Sequence, residues 1–109
     1  MDIANEISQK TTLLDNSIKM LRKTGSDYAK AYTDYRIALA KELLILKNEG
    51  YAITLAGDIA RGKPEIAHLK FEEISKEAIY RANLEAINST KLRIKVLENQ
   101  YDKEYTNTN

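Results

Sequence analysis

Apolar and aromatic side chains recur every three to four residues through the first half of the chain, and this spacing constrains the fold more than any other feature. It averages 3.5 residues over about five heptads, the repeat of a helix that packs lengthwise against another helix. We call this row seam 1; it comprises Ile7, Thr11, Leu14, Ile18, Leu21, Gly25, Tyr28, Tyr32, Tyr35, Leu39, Glu42 and Leu46. The pattern predicts a coiled-coil-like first arm over residues 4–48.

The second half carries a row of similar length and spacing, which we call seam 2. Pro64 followed by Glu65 is typical of a helix start, because proline suits the first helical position and an acid suits the first turn. Seam 2 comprises Ile66, Leu69, Glu73, Lys76, Tyr80, Asn83, Ile87, Thr90, Ile94, Leu97, Tyr101 and Glu104. We therefore predict a second helical arm over residues 64–105.

The segment LRKTGSD, residues 21–27, leaves two alternatives for the first arm. Basic residues, a glycine and then Ser-Asp are the signals that end one helix and begin another. Seam 1 nevertheless continues through Gly25 without a change of phase. The first helix is therefore either continuous or broken near Gly25.

Residues 49–63 are predicted to reverse the chain direction. Gly50 ends the first arm, Thr54 caps a short helical turn over 55–61, and Gly62 ends that turn as a C-cap. Two long helices joined in this way fold back antiparallel, with facing position numbers that sum to roughly 112. The prediction is a single all-α domain, a long helical hairpin whose arms pack within one chain or swap between two.

The stretch GDIARGK, residues 57–63, resembles the opening of a nucleotide-binding P-loop. That motif needs Ser or Thr after the lysine to hold magnesium, and a preceding strand in a parallel sheet. Here Pro64 follows, which has neither a hydroxyl nor a backbone N–H. We interpret the stretch as the end of one helix followed by the start of the next, and expect no nucleotide and no other cofactor.

Residue types for catalysis or metal binding are scarce. Glu65-x-x-His68 has the spacing found in di-iron bundles, but those need a second such motif and further carboxylates. The chain has one histidine and no cysteine, and the adjacent Glu72 and Glu73 point in different directions on a helix. We expect neither an enzyme nor a metal protein.

More apolar residues gather near the hairpin tip than one seam can bury. They include Ile37, Leu43, Leu44 and Ile45 on the first arm, and a second stripe of Ala67, Phe71, Ile74 and Ala78 on the other. Such a surplus marks an interaction site when nothing within the chain covers it. The predicted partner-binding residues are Tyr51, Ile53, Leu55, Ile59, Arg61 and Lys63. We expect a protein partner, with a homodimer as a second option.

The second arm also carries a modest basic patch. It comprises Arg81, Lys91, Arg93 and Lys95. The formal net charge of the chain is only +1, whereas general DNA binders are strongly basic. Contact of this patch with nucleic acid is therefore an alternative, not the favoured interpretation.

The beginning of the chain lacks the basic start and apolar run of a signal peptide. No stretch approaches the roughly 20 consecutive apolar residues that span a bilayer. We expect no membrane association and a cytoplasmic location.

Several runs in the chain resemble small all-helical proteins, many without assigned function, from phages and prophages of low-GC Gram-positive bacteria. They are the run 35–41 (YRIALAK), Glu49-Gly50 with Thr54, Ala60 to Lys63, Tyr80, 85–88 (EAIN), Lys91-Leu92, and Leu97-Glu98 with Gln100-Tyr101. The resemblance covers residues 27–105. It implies either the phage replication and recombination apparatus or the suppression of host defences, in the cytoplasm of a host cell.

Three functions remain open from the sequence. The first is a non-enzymatic protein that binds and modulates or inhibits a larger host protein or defence complex, in the manner of anti-CRISPR and other anti-defence proteins. The second is an accessory factor of phage replication or recombination that contacts nucleic acid. The third is a structural coiled-coil spacer, which would form oligomers without any other partner.

Overall fold

The protein is all-α, as the seams predict. The computed structural model describes residues 2–107, which form three helices: α1 over Ile3–Asn48, α2 over Ile53–Gly62 and α3 over Pro64–Asn107. Within these residues there is no strand, and α1 packs on α3 of the same chain as a helical hairpin. The two arms therefore pair within one chain, and their pairing does not require an exchange of arms between two chains.

Contacts between residues divide the chain into two compact units. The tip unit is Thr24–Ile79, and the terminal unit comprises the described residues of Met1–Lys23 and Tyr80–Asn109. Each unit contains a segment of α1 and a segment of α3, and the tip unit also contains α2.

The core of the tip unit lies where α1, α2 and α3 meet. Its buried members are Tyr35, Leu39, Leu46, Ala56, Ala60 and Ile66, with Ala38, Leu43, Ile59 and Leu69 packed around them. Ala60 has no exposed surface, and Ala56 has almost none. Small side chains at these positions allow α2 to pack closely against the rest of the unit. Leu46 of α1 belongs to the same buried cluster.

Two polar contacts orient the helices of the tip unit. Lys63, just before α3, forms an ion pair with Glu42 of α1. The ammonium of Lys70 lies 4.8 Å from the ring centroid of Tyr35 and 2.8 Å from the carboxylate of the buried Glu73. Lys63 contacts Glu42, whereas Lys70, one heptad later, contacts Tyr35, one heptad earlier on α1. The two helices are therefore antiparallel.

The terminal unit has a smaller and more polar core. Its buried residues on α3 are Ile87, Thr90 and Leu97. The side-chain amide of Asn83 donates a hydrogen bond of 3.0 Å to the carbonyl oxygen of Ser17, which ties α3 to α1. Ile3 of α1 and Tyr101 of α3 line one pocket farther along this unit, so the helices are antiparallel here as well.

The predicted register between the arms is wrong. It placed Glu42 opposite position 70, whereas its partner is Lys63, seven positions earlier. In the terminal unit Asn83 contacts Ser17, which was expected to face position 95. In the tip unit the reason is α2, whose Ala56 and Ala60 share a core with Leu46 of α1, so that α3 begins level with Glu42 and not with the last turn of α1.

Seam 2 is confirmed as the inward row of α3. Its members from Ile66 to Tyr101 are buried or half-buried, and Glu104 is the exception. The polar members Glu73 and Thr90 are buried with the rest.

Seam 1 is correct at nine of its twelve positions, which are buried or half-buried. The row Ile7, Leu14, Leu21, Tyr28, Tyr35 is buried or half-buried, but Thr11, Ile18 and Tyr32 are exposed. The inward positions next to them are instead Lys10, Ser17 and Ala31. The small side chains of Ser17 and Ala31 allow the two helix backbones to approach, and this leaves the larger Ile18 and Tyr32 on the outside.

Helix α1 is continuous through Gly25, so the alternative of a break is not realised. A glycine in a helix interior costs roughly 0.5–1 kcal/mol relative to alanine. The neighbouring Thr24 is buried and Tyr28 is half-buried. Packing on either side of Gly25 therefore outweighs the local preference for a helix end.

The connection between the arms differs from the prediction at two residues. Thr54 lies inside α2, whose N-cap is Ala52 without a side-chain hydrogen bond. Gly50 has the left-handed backbone expected of a helix end, with φ of 96°, but Gly62 is an ordinary helical residue. Helix α2 ends at Lys63 in an extended conformation, because the following Pro64 disfavours helical geometry at the residue before it.

Candidate interaction surface

An apolar groove lies between the end of α1 and the start of α2. Its volume is about 290 Å³, and its walls are Ala40, Leu43, Leu44, Lys47, Ile53 and Ala56. The residues Ala40, Leu44 and Lys47 are spaced four and three apart on α1, so they lie on one face of the helix. We call this feature the tip groove.

Large apolar side chains at the tip groove remain exposed after the tip unit has folded. Ile53 is 77% exposed and Leu44 is 61% exposed, although the core of the same unit is well buried. The tip groove is open to solvent on the side of these two residues. It can therefore accept an apolar side chain from another molecule.

The structure separates the four predicted partner-binding residues that are not basic into three groups. Ile53 lines the tip groove, whereas Tyr51 and Leu55 are exposed nearby but outside it. Ile59 is half-buried against the core of the tip unit and contributes mainly to packing.

The two basic residues predicted at this surface are engaged within the tip unit. The guanidinium of Arg61 lies over Gly57, where an added Cβ would come within 2.9 Å of its Nη1 atom. The hydrogen bond from Lys63 to Glu42 raises the pKa of Lys63. Lys63 thus joins α3 to α1, and the cation at the tip groove is Lys47.

Sequence reasoning missed Ala40, Lys47 and Ala56 as groove residues. The first two follow from the spacing that places them beside Leu44 on α1. Ala56 lies one turn after Ile53, but its contact with α1 depends on the packing angle of α2, which the sequence pattern does not encode.

The four residues of the predicted basic patch are all exposed on α3. Lys91 and Lys95 are one helical turn apart and share a face, and Arg81 lies on the same side at 3.6 residues per turn. Arg93 falls on the opposite face. The helix therefore brings together three of the four predicted residues.

The P-loop-like stretch is helical, since Gly57 to Gly62 belong to α2. Glu65 and His68 are exposed in the first turns of α3. No group of three or more potential metal-ligating side chains occurs among residues 2–107. Within the same range, no helix combines the length and apolarity needed to cross a membrane.

Comparison with known proteins finds no matching family model, no matching curated relative and no matching solved structure.

Proposed function

We propose that the protein acts by binding a larger protein through the tip groove, without catalysing a reaction. The observation that carries the proposal is the exposure of Ile53 and Leu44 beside a groove that the chain itself leaves open. Burying one such side chain contributes about 1.5–3 kcal/mol, and a few anchors of this kind dominate many protein interfaces.

The chemistry of the tip groove indicates the kind of partner. An apolar side chain from a helix or loop would contact Leu43, Leu44 and Ile53, and a carboxylate beside it would face Lys47 at the edge. The resemblance to phage and prophage proteins suggests that the partner is a host protein or defence complex, which the binding modulates or inhibits.

The double substitution Ile53→Asp/Leu55→Asp changes one wall residue of the tip groove and one exposed neighbour just outside it, and tests the proposal. Both residues lie in the first turn of α2, where an acidic side chain is favourable, so α2 is expected to keep its helical structure. Proteins captured from a low-GC Gram-positive lysate would be identified and purified, and their affinity measured by titration calorimetry. We expect the double variant to weaken the binding of the purified partner by about 100-fold or more.

Leu92→Asp is the matched control, because Leu92 is exposed on α3 and belongs to the terminal unit. It should bind the partner with unchanged affinity, and circular dichroism should show equal helicity in all three proteins. Full binding by the double variant, or equal loss in both variants, would show that the tip groove is not the binding site.

One observation supports the alternative function, contact with nucleic acid: Lys91 and Lys95 are exposed on one face of α3. In that case the protein would shift single- or double-stranded probes in a gel at low salt, and binding would weaken steeply as salt rises. Lys91→Ala/Lys95→Ala would then reduce the shift, whereas Arg93→Ala would affect it less. If the protein does not shift either probe at low salt, this alternative is excluded.

A further inference from the structure

Helix α3 carries apolar side chains on its outside as well as along seam 2. In the tip unit they form a row that we call the outer row: Ala67, Phe71, Ile74 and Ala78. Phe71 is 64% exposed and Ile74 is 57% exposed. The spacing of four, three and four residues is that of a helix-packing seam, and no other part of the described chain covers it.

The spacing and the side-chain sizes of the outer row are the same in either direction along the chain. Its spacing is symmetric about the midpoint between Phe71 and Ile74, and its side chains run small, large, large, small. A two-fold axis at this midpoint, perpendicular to α3, would pair the row with a second copy of itself running antiparallel. Phe71 would then face the partner's Ile74, and Ala67 would face the partner's Ala78. Such self-complementarity is what a two-fold interface requires.

The exposed area of the chain is large enough for such an interface. It amounts to 8090 Å² for a mass of 12.4 kDa. A compact monomer of this mass exposes about 6,100 Å², so the excess is about 2,000 Å². A stable protein–protein interface removes about 800 Å² from each partner. The excess is spread over the whole chain, and an interface of standard size is smaller than it.

The charges beside the outer row suit a symmetric pair. Lys70 and Glu77 flank it on the same side of α3, seven residues apart. Antiparallel pairing places each Lys70, whose ammonium contacts Glu73 and Tyr35 of its own chain, on the same side as the partner's Glu77, so like charges are not brought together there. The net charge of +1 adds little repulsion between copies.

We propose that the protein forms a two-fold symmetric homodimer in which the outer rows of two α3 helices pack antiparallel. The dimer interface is distinct from the tip groove, so each dimer presents two tip grooves. This proposal stands independently of the partner-binding function.

The oligomeric state in solution tests the dimer. Sedimentation equilibrium between about 1 and 100 µM should give twice the chain mass at the upper end. Phe71→Gln/Ile74→Gln should raise the dissociation constant at least 10-fold, and glutamine is a good helix former, so the variant should retain its helicity. Leu44→Gln/Ile53→Gln, at the tip groove, is the matched control and should remain dimeric.

Cross-linking tests the relative orientation of the two copies of α3. The chain has no native cysteine, so only the introduced cysteines can react with the cross-linker. Ala67→Cys/Ala78→Cys should be captured as a dimer by a short thiol cross-linker. Its two cysteines are about 16 Å apart along one helix, too far to link within a chain. Either single substitution alone should give little cross-linked product, because antiparallel pairing separates identical positions by the same distance.

Three results would overturn the proposal. They are a monomer across the whole concentration range, a dimer that Phe71→Gln/Ile74→Gln leaves intact, and single-cysteine variants that cross-link as well as the double variant. The last result would indicate parallel pairing.

Discussion

Leu97→Ala is expected to lower the free energy of unfolding by about 2–5 kcal/mol. Leu97 is 1% exposed and is the largest fully buried side chain in the described part of the chain. The terminal unit has few other buried apolar residues, and its buried Thr90 adds little hydrophobic stabilisation. A domain of this size is typically stable by only about 5–15 kcal/mol. The loss would thus remove a substantial share of the total.

The measurement is urea unfolding followed by circular dichroism at 222 nm, at one fixed protein concentration so that any self-association is held constant. Leu92→Ala is the control, because it deletes the same atoms five residues away from a side chain that is 64% exposed. That variant should stay within about 0.5 kcal/mol of the parent. Equal effects at the two positions would mean that Leu97 does not hold α3 against α1.

The helical hairpin could be predicted from the sequence because its signals are local and repeated. Seam 2 identifies the inward face of α3 through to Tyr101, and Gly50 marks the end of α1 with the left-handed backbone that glycine favours. The 3.5-residue spacing also identifies nine of the twelve members of seam 1 correctly. Each of these features depends on residues close together in the chain, and many residues contribute to each pattern.

The register between the arms could not be predicted, because it depends on where α2 packs. A shift of one heptad, as found in the tip unit, leaves both seams facing each other, so periodicity alone cannot distinguish the two registers there. In the tip unit the register follows from the core that Leu46 shares with Ala56 and Ala60 of α2. Neither alanine has a distinctive sequence signal.

The candidate site could likewise be predicted where it depends on local sequence, but not where it depends on packing between helices. The surplus of apolar residues at the tip was evident from composition along the chain, and Ile53 does line the groove. The exclusion of Leu55 and the engagement of Lys63 by Glu42 depend on three-dimensional neighbours from another helix. A sequence pattern assigns a side chain to a face of its own helix and does not determine what packs against that face.

Ser26→Pro is expected to destabilise the protein by about 3 kcal/mol or more. Ser26 is exposed in the interior of α1, immediately after Gly25. Proline there removes the helical hydrogen bond to the carbonyl of Arg22, and its ring clashes with the same carbonyl. Since the segments before and after Ser26 both pack against α3, a kink at this point disturbs contacts on both sides.

The substitution discriminates between the two interpretations of residues 21–27. If the chain began a new helix at Ser26, proline would fall in a first turn, where it is well tolerated, and stability would hardly change. In a continuous α1 the midpoint of thermal unfolding should fall by roughly 12 °C or more. Ser26→Ala, which preserves the backbone N–H and has higher helix propensity, should instead be neutral or slightly stabilising. A stable Ser26→Pro protein would therefore contradict a continuous helix, while a destabilised Ser26→Ala protein would show that the hydroxyl, and not the backbone, matters at this position.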